Sequence, residues 1–253
     1  MNIAVVLAGG YGNRVGASIP KQYIEILGKP VIVYTLEFLQ NNNEIDAIEV
    51  VSAPEYIDVV FSYKQKYSIS KIRWVTPGGA TCQESIRNGV LNLVNIASDS
   101  DIIVIILGVA PLISDEVISD SLRVCKKYGN AICGSELYYN ISPITNEYWA
   151  DKYLLKEEHY SHNAPWSIPF GKLVYLYTKN NATDNRKYSY TSTLMIDMGE
   201  KLYFSKDSPL NKVKITNKEE LDILEGYLLI QELRKGNKDA VNKIRMIEGE
   251  NIL

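Results

Sequence analysis

The chain has 253 residues, 27 Lys+Arg against 30 Asp+Glu, a net charge of −3 and 46 % apolar residues. A chain of this size buries about three quarters of its unfolded surface and needs no staples, and its near-neutral balance excludes a binder that works by neutralising a long run of phosphates. Cys82, Cys125 and Cys133 show neither a CxxC pair nor zinc-ligand spacing, and no basic leader or apolar run of about 18 residues is present, so the expectation is a cytoplasmic protein, neither exported nor membrane-spanning.

Short apolar runs alternate with amphipathic stretches in the first half, which predicts βαβ units and a parallel sheet. Residues 2–7 (NIAVVL) read as a buried strand. A helix over 31–40 follows Pro30, which suits a first helical turn. Next come a strand over 45–52, a helix over 55–66, a strand over 72–76, a helix over 83–96 and a strand over 101–107. The helix over 114–127 opens on a Ser-Asp-Glu cap signature. From 131 to 162 the regularity gives way to a Tyr-rich, Pro-broken segment, too aromatic for disorder, which reads as a protruding arm or short strands. Tyr outnumbers Phe by 18 to 4, and the excess lies mainly between Tyr128 and Tyr203. A helix over 170–179, short strands over 201–205 and 212–215, and a long helix over 218–233 capped by Thr216 or Asn217 complete the pattern. This gives one domain over 1–235 with an arm at 136–162, followed by a helical tail at 236–253.

The first strand-to-helix connection, LAGGYGNRVGASIPKQYIEILGKP (7–30), carries the sharpest chemical signal. Gly9, Gly10 and Gly12 allow the backbone to bend and to bring N–H groups close to an anion, and Arg14 and Lys21 add positive charge. A bare GGxG would read equally well as a tight turn; the two basic residues and the Pro-Lys-Gln triplet favour a polyphosphate. The loop is not a dinucleotide fingerprint, which needs an acidic residue at the end of the second strand, where Val50, Val51 and Ser52 stand. Nor is it a Walker loop, because no GK[ST] follows.

These residues, with LGKPVI behind them, resemble the signature of the cytidylyltransferases acting on 2-C-methyl-D-erythritol 4-phosphate and on ribitol 5-phosphate. PGGATCQESIRNG (77–89) is similar to the family's second motif, and LGVAPLIS (107–114) stands where the family has Asp-Gly-Val-Arg-Pro-Leu. NAP (163–165), STLM (192–195) and KLYFSKDSPLNKVKIT (201–216) are most similar to the ribitol-phosphate branch. The resemblance implies a Rossmann-like three-layer α/β sandwich with a mostly parallel central sheet and a protruding β-arm, its nucleotide lying across the C-terminal strand ends. It implies transfer of CMP from CTP to a sugar or polyol phosphate, with release of pyrophosphate. Arg14, Lys21 and Lys214 would hold the triphosphate and stabilise transition-state charge. Leu7, Ala8, Gly9, Gly10, Gly12, Gly79 and Ser85 would bind the nucleotide, and Lys156 and Ser192 the acceptor. Mg2+ as cofactor, a homodimer formed through the arm, and a role in cell-surface polymer precursors follow from the same resemblance, with no nucleic-acid or membrane partner.

Three positions depart from the pattern. Leu107 stands in place of the metal-holding aspartate, Ala110 in place of an acceptor-phosphate arginine and Cys82 in place of the second-motif arginine. Leucine offers magnesium no oxygen. Asp101 and Asp115 lie too far along the chain to replace it, which leaves Asp197, Asp207 or Glu136 as candidates and the metal site unknown. Trp166, directly after NAP, implies a reshaped acceptor pocket. His159 and His162 read as surface residues of the arm. Two functional readings follow: an active enzyme with an altered acceptor, or a catalytically impaired relative that binds nucleotide or a partner chain.

Overall fold

The computed structural model describes residues 1–11, 16, 19–179 and 190–237. The apolar run Asn2–Ala8 forms β1. A two-stranded hairpin of β2 (Glu25–Ile26) and β3 (Lys29–Pro30) leads into α1 (Val31–Asn41), then β4 (Ala47–Ser52), α2 (Ile57–Lys66), β5 (Ile72–Pro77), α3 (Cys82–Asn92) and β6 (Ile102–Leu107). The second half contains α4 (Asp115–Tyr128), β7 (Ala131–Glu136), β8 (Tyr160–Pro169), α5 (Phe170–Lys179), α6 (Thr191–Asp197), β9 (Phe204–Lys206) and α7 (Lys218–Arg234).

The main sheet has the order β5-β4-β1-β6-β8-β7-β9. β1 pairs in parallel with β4 and β6, as do β4 with β5 and β7 with β9, and only β8 runs antiparallel to its neighbours. Alternation along each strand divides the core into two layers. Ala4, Val6 and Val104 face Ile32, Leu36, Val60 and Leu122 of α1, α2 and α4. Ile3, Val5, Ile103 and Ile105 face Ile86, Val90, Leu173 and Leu194 of α3, α5 and α6. A smaller core joins Ile26 and Val31 to Val109, Ile215, Leu221 and Leu224, so that α7 packs on the hairpin and on the loop after β6. The order in which strands join the sheet reverses at β1, with β4 and β5 on one side and β6 on the other, and this topological switch point is where open α/β sheets bind ligands.

Several element boundaries differ from the sequence reading for physical reasons. Helix α3 starts at Cys82, because Thr81 caps it by accepting from the Glu84 N–H, and its end at Asn92 rather than Ile96 is followed by Asn95 in the left-handed region. Ser114 holds the N-cap position of α4 without a cap bond from its side chain. The expected strand over 212–215 does not form. Leu210–Lys212 is a 3-10 turn instead, and the apolar Ile215 is buried in the small core, where its N–H donates to Val109 O. Asn217 and Glu220 form a reciprocal capping box at the start of α7. The arm segment contributes strands at its borders and a single antiparallel bridge, Ile141 to Leu154; its tyrosines 138, 139, 148 and 153 are 70–87 % exposed.

Candidate active site

At the end of β1 the glycine loop is tied down by one side chain. Gln22, buried, donates from Nε2 to Ala8 O at 2.5 Å and to Gly10 O at 3.0 Å. Leu7 O accepts from Gly108 N at 2.9 Å, which locks the ends of β1 and β6 together. Tyr23 anchors the same turn through its hydroxyl, 2.7 Å from Ser52 Oγ, and Tyr11 of the loop donates to Glu55. Lys21 precedes Gln22 in the 3-10 turn Lys21–Tyr23, so it stands at the loop. Gly12 and Arg14 lie outside the described residues.

The loop after β5 meets this one edge to edge. A Cβ on Gly78 would lie 3.1 Å from Ser85 Oγ and 3.5 Å from Gly9 Cα, and one on Gly79 would lie 2.3 Å from Glu84 Cβ. At Gly79 only glycine fits against the first turn of α3. Ser85 Oγ accepts from Gly79 N at 3.1 Å, and Glu84 Oε2 accepts from Ala80 N at 2.8 Å. The structure therefore brings Ala8, Gly9, Gly10, Gly79 and Ser85 together around the N-terminus of α3, whose free N–H groups and dipole favour negative charge.

Lys214 reaches this cluster from the other end of the chain. It is half-buried, and its charge pulls the Cys82 thiol down, although burial dominates and leaves that thiol raised; solvent still reaches Cys82, the first residue of α3. The strand-like strap that carries Lys214 is held at both ends. Asn211 lies at one end: its carbonyl accepts from Asn163 Nδ2 at 3.1 Å, and its own Nδ2 donates to Ala164 O at 2.8 Å and Asp207 Oδ1 at 2.7 Å. At the other end Ile215 donates to Val109 O at 2.9 Å. The NAP and PLN motifs are thus two halves of one joint.

The departing positions are apolar in space as in sequence. Leu107 is half-buried against two cores, and Ala110 is 4 % exposed. Among the described residues no group of three His, Cys, Asp or Glu side chains could hold a metal. Asp207 is engaged with Asn211 and Ser208, Asp115 accepts from Asn42, and Glu136 lines a cleft of the arm.

Two expected acceptor residues fall in different places. Lys156 is not brought to the cluster: it lies in the turn Lys156–Glu158 and lines the arm cleft with Glu136 and Tyr160. Ser192 is buried at the start of α6, its hydroxyl 3.4 Å from His162 Nδ1. Trp166 does not shape a pocket; it is 1 % exposed in the core, opposite Ile105. A buried connection that sequence reading missed runs between helices. Tyr177 OH donates to Gln83 Oε1 at 2.6 Å and lies 3.0 Å from Thr191 Oγ1. It joins the first turn of α3 to the first turn of α6. No local pattern signals it, because its three members come from separate helices.

A parallel sheet whose switch point carries a glycine loop, a capped helix start and lysines from both ends of the chain defines an α/β nucleotidyltransferase. Residues 2–229 match the family model described as IspD, 2-C-methyl-D-erythritol 4-phosphate cytidylyltransferase, and the chain belongs to this family. It is 34 % identical over 235 residues to the ribitol-5-phosphate cytidylyltransferase of Lacticaseibacillus paracasei, covering 92 % of this chain and 100 % of that one. It is 31 % identical to the 2-C-methyl-D-erythritol 4-phosphate cytidylyltransferase of Clostridium novyi, covering 90 % and 96 %. A crystal structure of 4-diphosphocytidyl-2C-methyl-D-erythritol synthase from Anaerococcus prevotii superposes with a TM-score of 0.73 at 22 % identity, covering 90 % of this chain and 98 % of that one, a likeness of fold. No helix among the described residues is long and apolar enough to cross a membrane.

Proposed function

We propose that the protein transfers a cytidylyl group from CTP to a sugar or polyol phosphate, with ribitol 5-phosphate as the first acceptor to test. An oxygen of the acceptor phosphate attacks the α-phosphorus of CTP, the bond from that phosphorus to the bridging oxygen breaks, and pyrophosphate leaves. The convergence of the Gln22-tied glycine loop, the Ser85–Gly79 pair and Lys214 at one switch point carries this reading. In it, Ser85 and Gly79 receive the base, while Lys21 and Lys214, with Arg14, hold the triphosphate and meet the charge that develops on the departing pyrophosphate. The names of the relatives support the choice of acceptor.

Magnesium belongs to this reading only as a passenger on the nucleotide. The residues at the family's metal position do not fit the ion: Leu107 and Ala110 are apolar, and magnesium takes oxygen ligands. The same observation favours the second reading, in which the chain binds CTP without turning it over. The exposed tyrosines of the arm support a homodimer joined there, and a cytoplasmic role in supplying activated polyols for cell-surface polymers accords with the ribitol assignment.

The test incubates the purified protein with CTP, Mg2+ and a panel containing ribitol 5-phosphate and 2-C-methyl-D-erythritol 4-phosphate, and measures pyrophosphate. Release above the blank without acceptor, largest with ribitol 5-phosphate, is the expected result. No release, together with calorimetric CTP binding, establishes the silent binder in its place.

A further inference from the structure

Beyond the point where Trp166 pairs with Ile105, β8 runs outward past the end of β6 through Ala164, Asn163 and His162. His162 is exposed, unlike the buried residues 164–168 that follow it on the strand. Its ring rests on Phe204, with centroids 5.1 Å apart. Phe204 fits there because position 134 is glycine: a Cβ at Gly134 would come within 2.8 Å of the Phe204 ring. One imidazole nitrogen, Nδ1, meets the buried hydroxyl of Ser192 at 3.4 Å. An imidazole whose first nitrogen is engaged presents the second with a defined role, donor or acceptor according to the tautomer.

Two connections place this histidine beside the nucleotide site. Its neighbour Asn163 is bonded to Asn211, at the root of the strap that carries Lys214. Ser192 follows Thr191, which shares the Tyr177 hydroxyl with Gln83 in the first turn of α3, two residues from Ser85. Its ring contacts are the face of Phe204 and the hydroxyl of Ser192, neither of them charged. A polar, exposed ring in that setting suits a hydroxyl group better than a phosphate, which requires fixed positive charge.

We infer that His162, oriented by Ser192, is a specificity-determining residue that recognises a hydroxyl of the acceptor's polyol chain. The inference rests on the proposed cytidylyl transfer for the identity of the acceptor. Phe204 and Ser192 fix the ring, and Nε2 is the atom that meets the ligand.

The test titrates the full chain calorimetrically with ribitol 5-phosphate, inorganic phosphate and CTP in separate experiments. His162→Phe is expected to weaken ribitol 5-phosphate at least tenfold while inorganic phosphate and CTP stay within twofold, and His162→Gln, which keeps a polar atom near the Nε2 position, recovers part of the loss. Should His162→Phe also lose CTP binding through misfolding, Ser192→Ala replaces it, with a threefold or greater loss expected for ribitol 5-phosphate alone. Equal ribitol 5-phosphate affinity in wild type and variants overturns the inference, as does a parallel loss of inorganic phosphate, which would make His162 a phosphate ligand. A wild type that releases pyrophosphate while its affinity ignores His162 keeps the proposed function and removes this inference. Binding that depends on His162 without pyrophosphate release does the reverse, and no binding of ribitol 5-phosphate by wild type removes this inference while leaving the proposed function to its own pyrophosphate test.

Discussion

The hydroxyl of Ser85 accepts a hydrogen bond from the backbone N–H of Gly79 at 3.1 Å, so a helix side chain sets the conformation of the loop that precedes its own helix. Gly79→Ala tests how tightly that loop is closed. The added Cβ would lie 2.3 Å from Glu84 Cβ and 3.1 Å from the Glu84 carbonyl carbon, and backbone must move to admit it. CTP affinity is expected to fall at least tenfold, while far-UV circular dichroism stays unchanged. An affinity within twofold of wild type would show that the loop does not shape the nucleotide site.

Gln22 provides a second probe. Its amide satisfies the Ala8 and Gly10 carbonyls from a buried position, and removing a buried partner costs about 1–3 kcal/mol. Gln22→Leu is expected to lower stability by about that amount and to weaken CTP binding, and Gln22→Glu, whose carboxylate can donate to neither carbonyl, lowers stability further. Chemical denaturation and CTP titration measure the two effects separately.

Glu49 predicts the pH dependence of folding. It is fully buried in β4, and desolvation raises its pKa to about 7, against the lowering effect of hydrogen bonds from Thr76 and Asn92. The folded protein therefore holds a proton that the unfolded chain releases near its ordinary value of 4.5. The sign follows from linkage: this residue's contribution is most favourable below pH 4.5 and is lost as pH rises to about 7, above which it is level. The loss amounts to roughly 3 kcal/mol. Urea denaturation of wild type and Glu49→Gln between pH 5 and 8 should show the difference between the two proteins changing up to about pH 7 and flat above it. A constant difference would mean that Glu49 ionises normally.

Leu107→Asp separates the two functional readings at the level of a residue. Leu107 packs against two apolar cores, so the substitution is expected to cost about 1–3 kcal/mol of stability, within the range for a newly buried polar group. In return it supplies an oxygen ligand at the end of β6. Combined with Ala110→Arg and Cys82→Arg, it is expected to raise Mg2+-dependent pyrophosphate release if the remaining scaffold is competent. No gain, in a variant that still binds CTP, would show that the acceptor side has diverged further.

The parallel half of the fold was legible because β1 and β6 are continuous apolar runs and β4 and β5 are short runs rich in β-branched residues, each with glycine or proline close behind. β8 was not legible: YSHNAPWSIP mixes polar residues with a proline, and only its position between β6 and β7 makes it a strand. The seven-residue α6 was missed for a similar reason, since its helical state depends on the burial of Leu194 and Met195 rather than on local propensity. In the site, the glycines and Ser85 announced themselves by motif. Gln22 was part of a motif without a role, and the Tyr177 connection and the Asn163–Asn211 joint had no signal, because each joins residues far apart in the chain. The arm tyrosines showed the opposite limit: composition located them, but only exposure showed that Tyr139, Tyr148 and Tyr153 turn largely to solvent.

The bond from Ile215 to Val109 and the small core of Ile26, Val31, Ile215 and Leu224 have a consequence for the order of assembly. The first strand and its glycine loop emerge early from a ribosome, yet part of the surface on which the loop after β6 rests is supplied by α7, far later in the chain. A nascent chain halted before α7 would carry the glycine motif and Lys214 and still lack Leu221 and Leu224, against which Ile215 packs. Closure of this small core, and with it the seating of the Lys214 strap, therefore waits for α7.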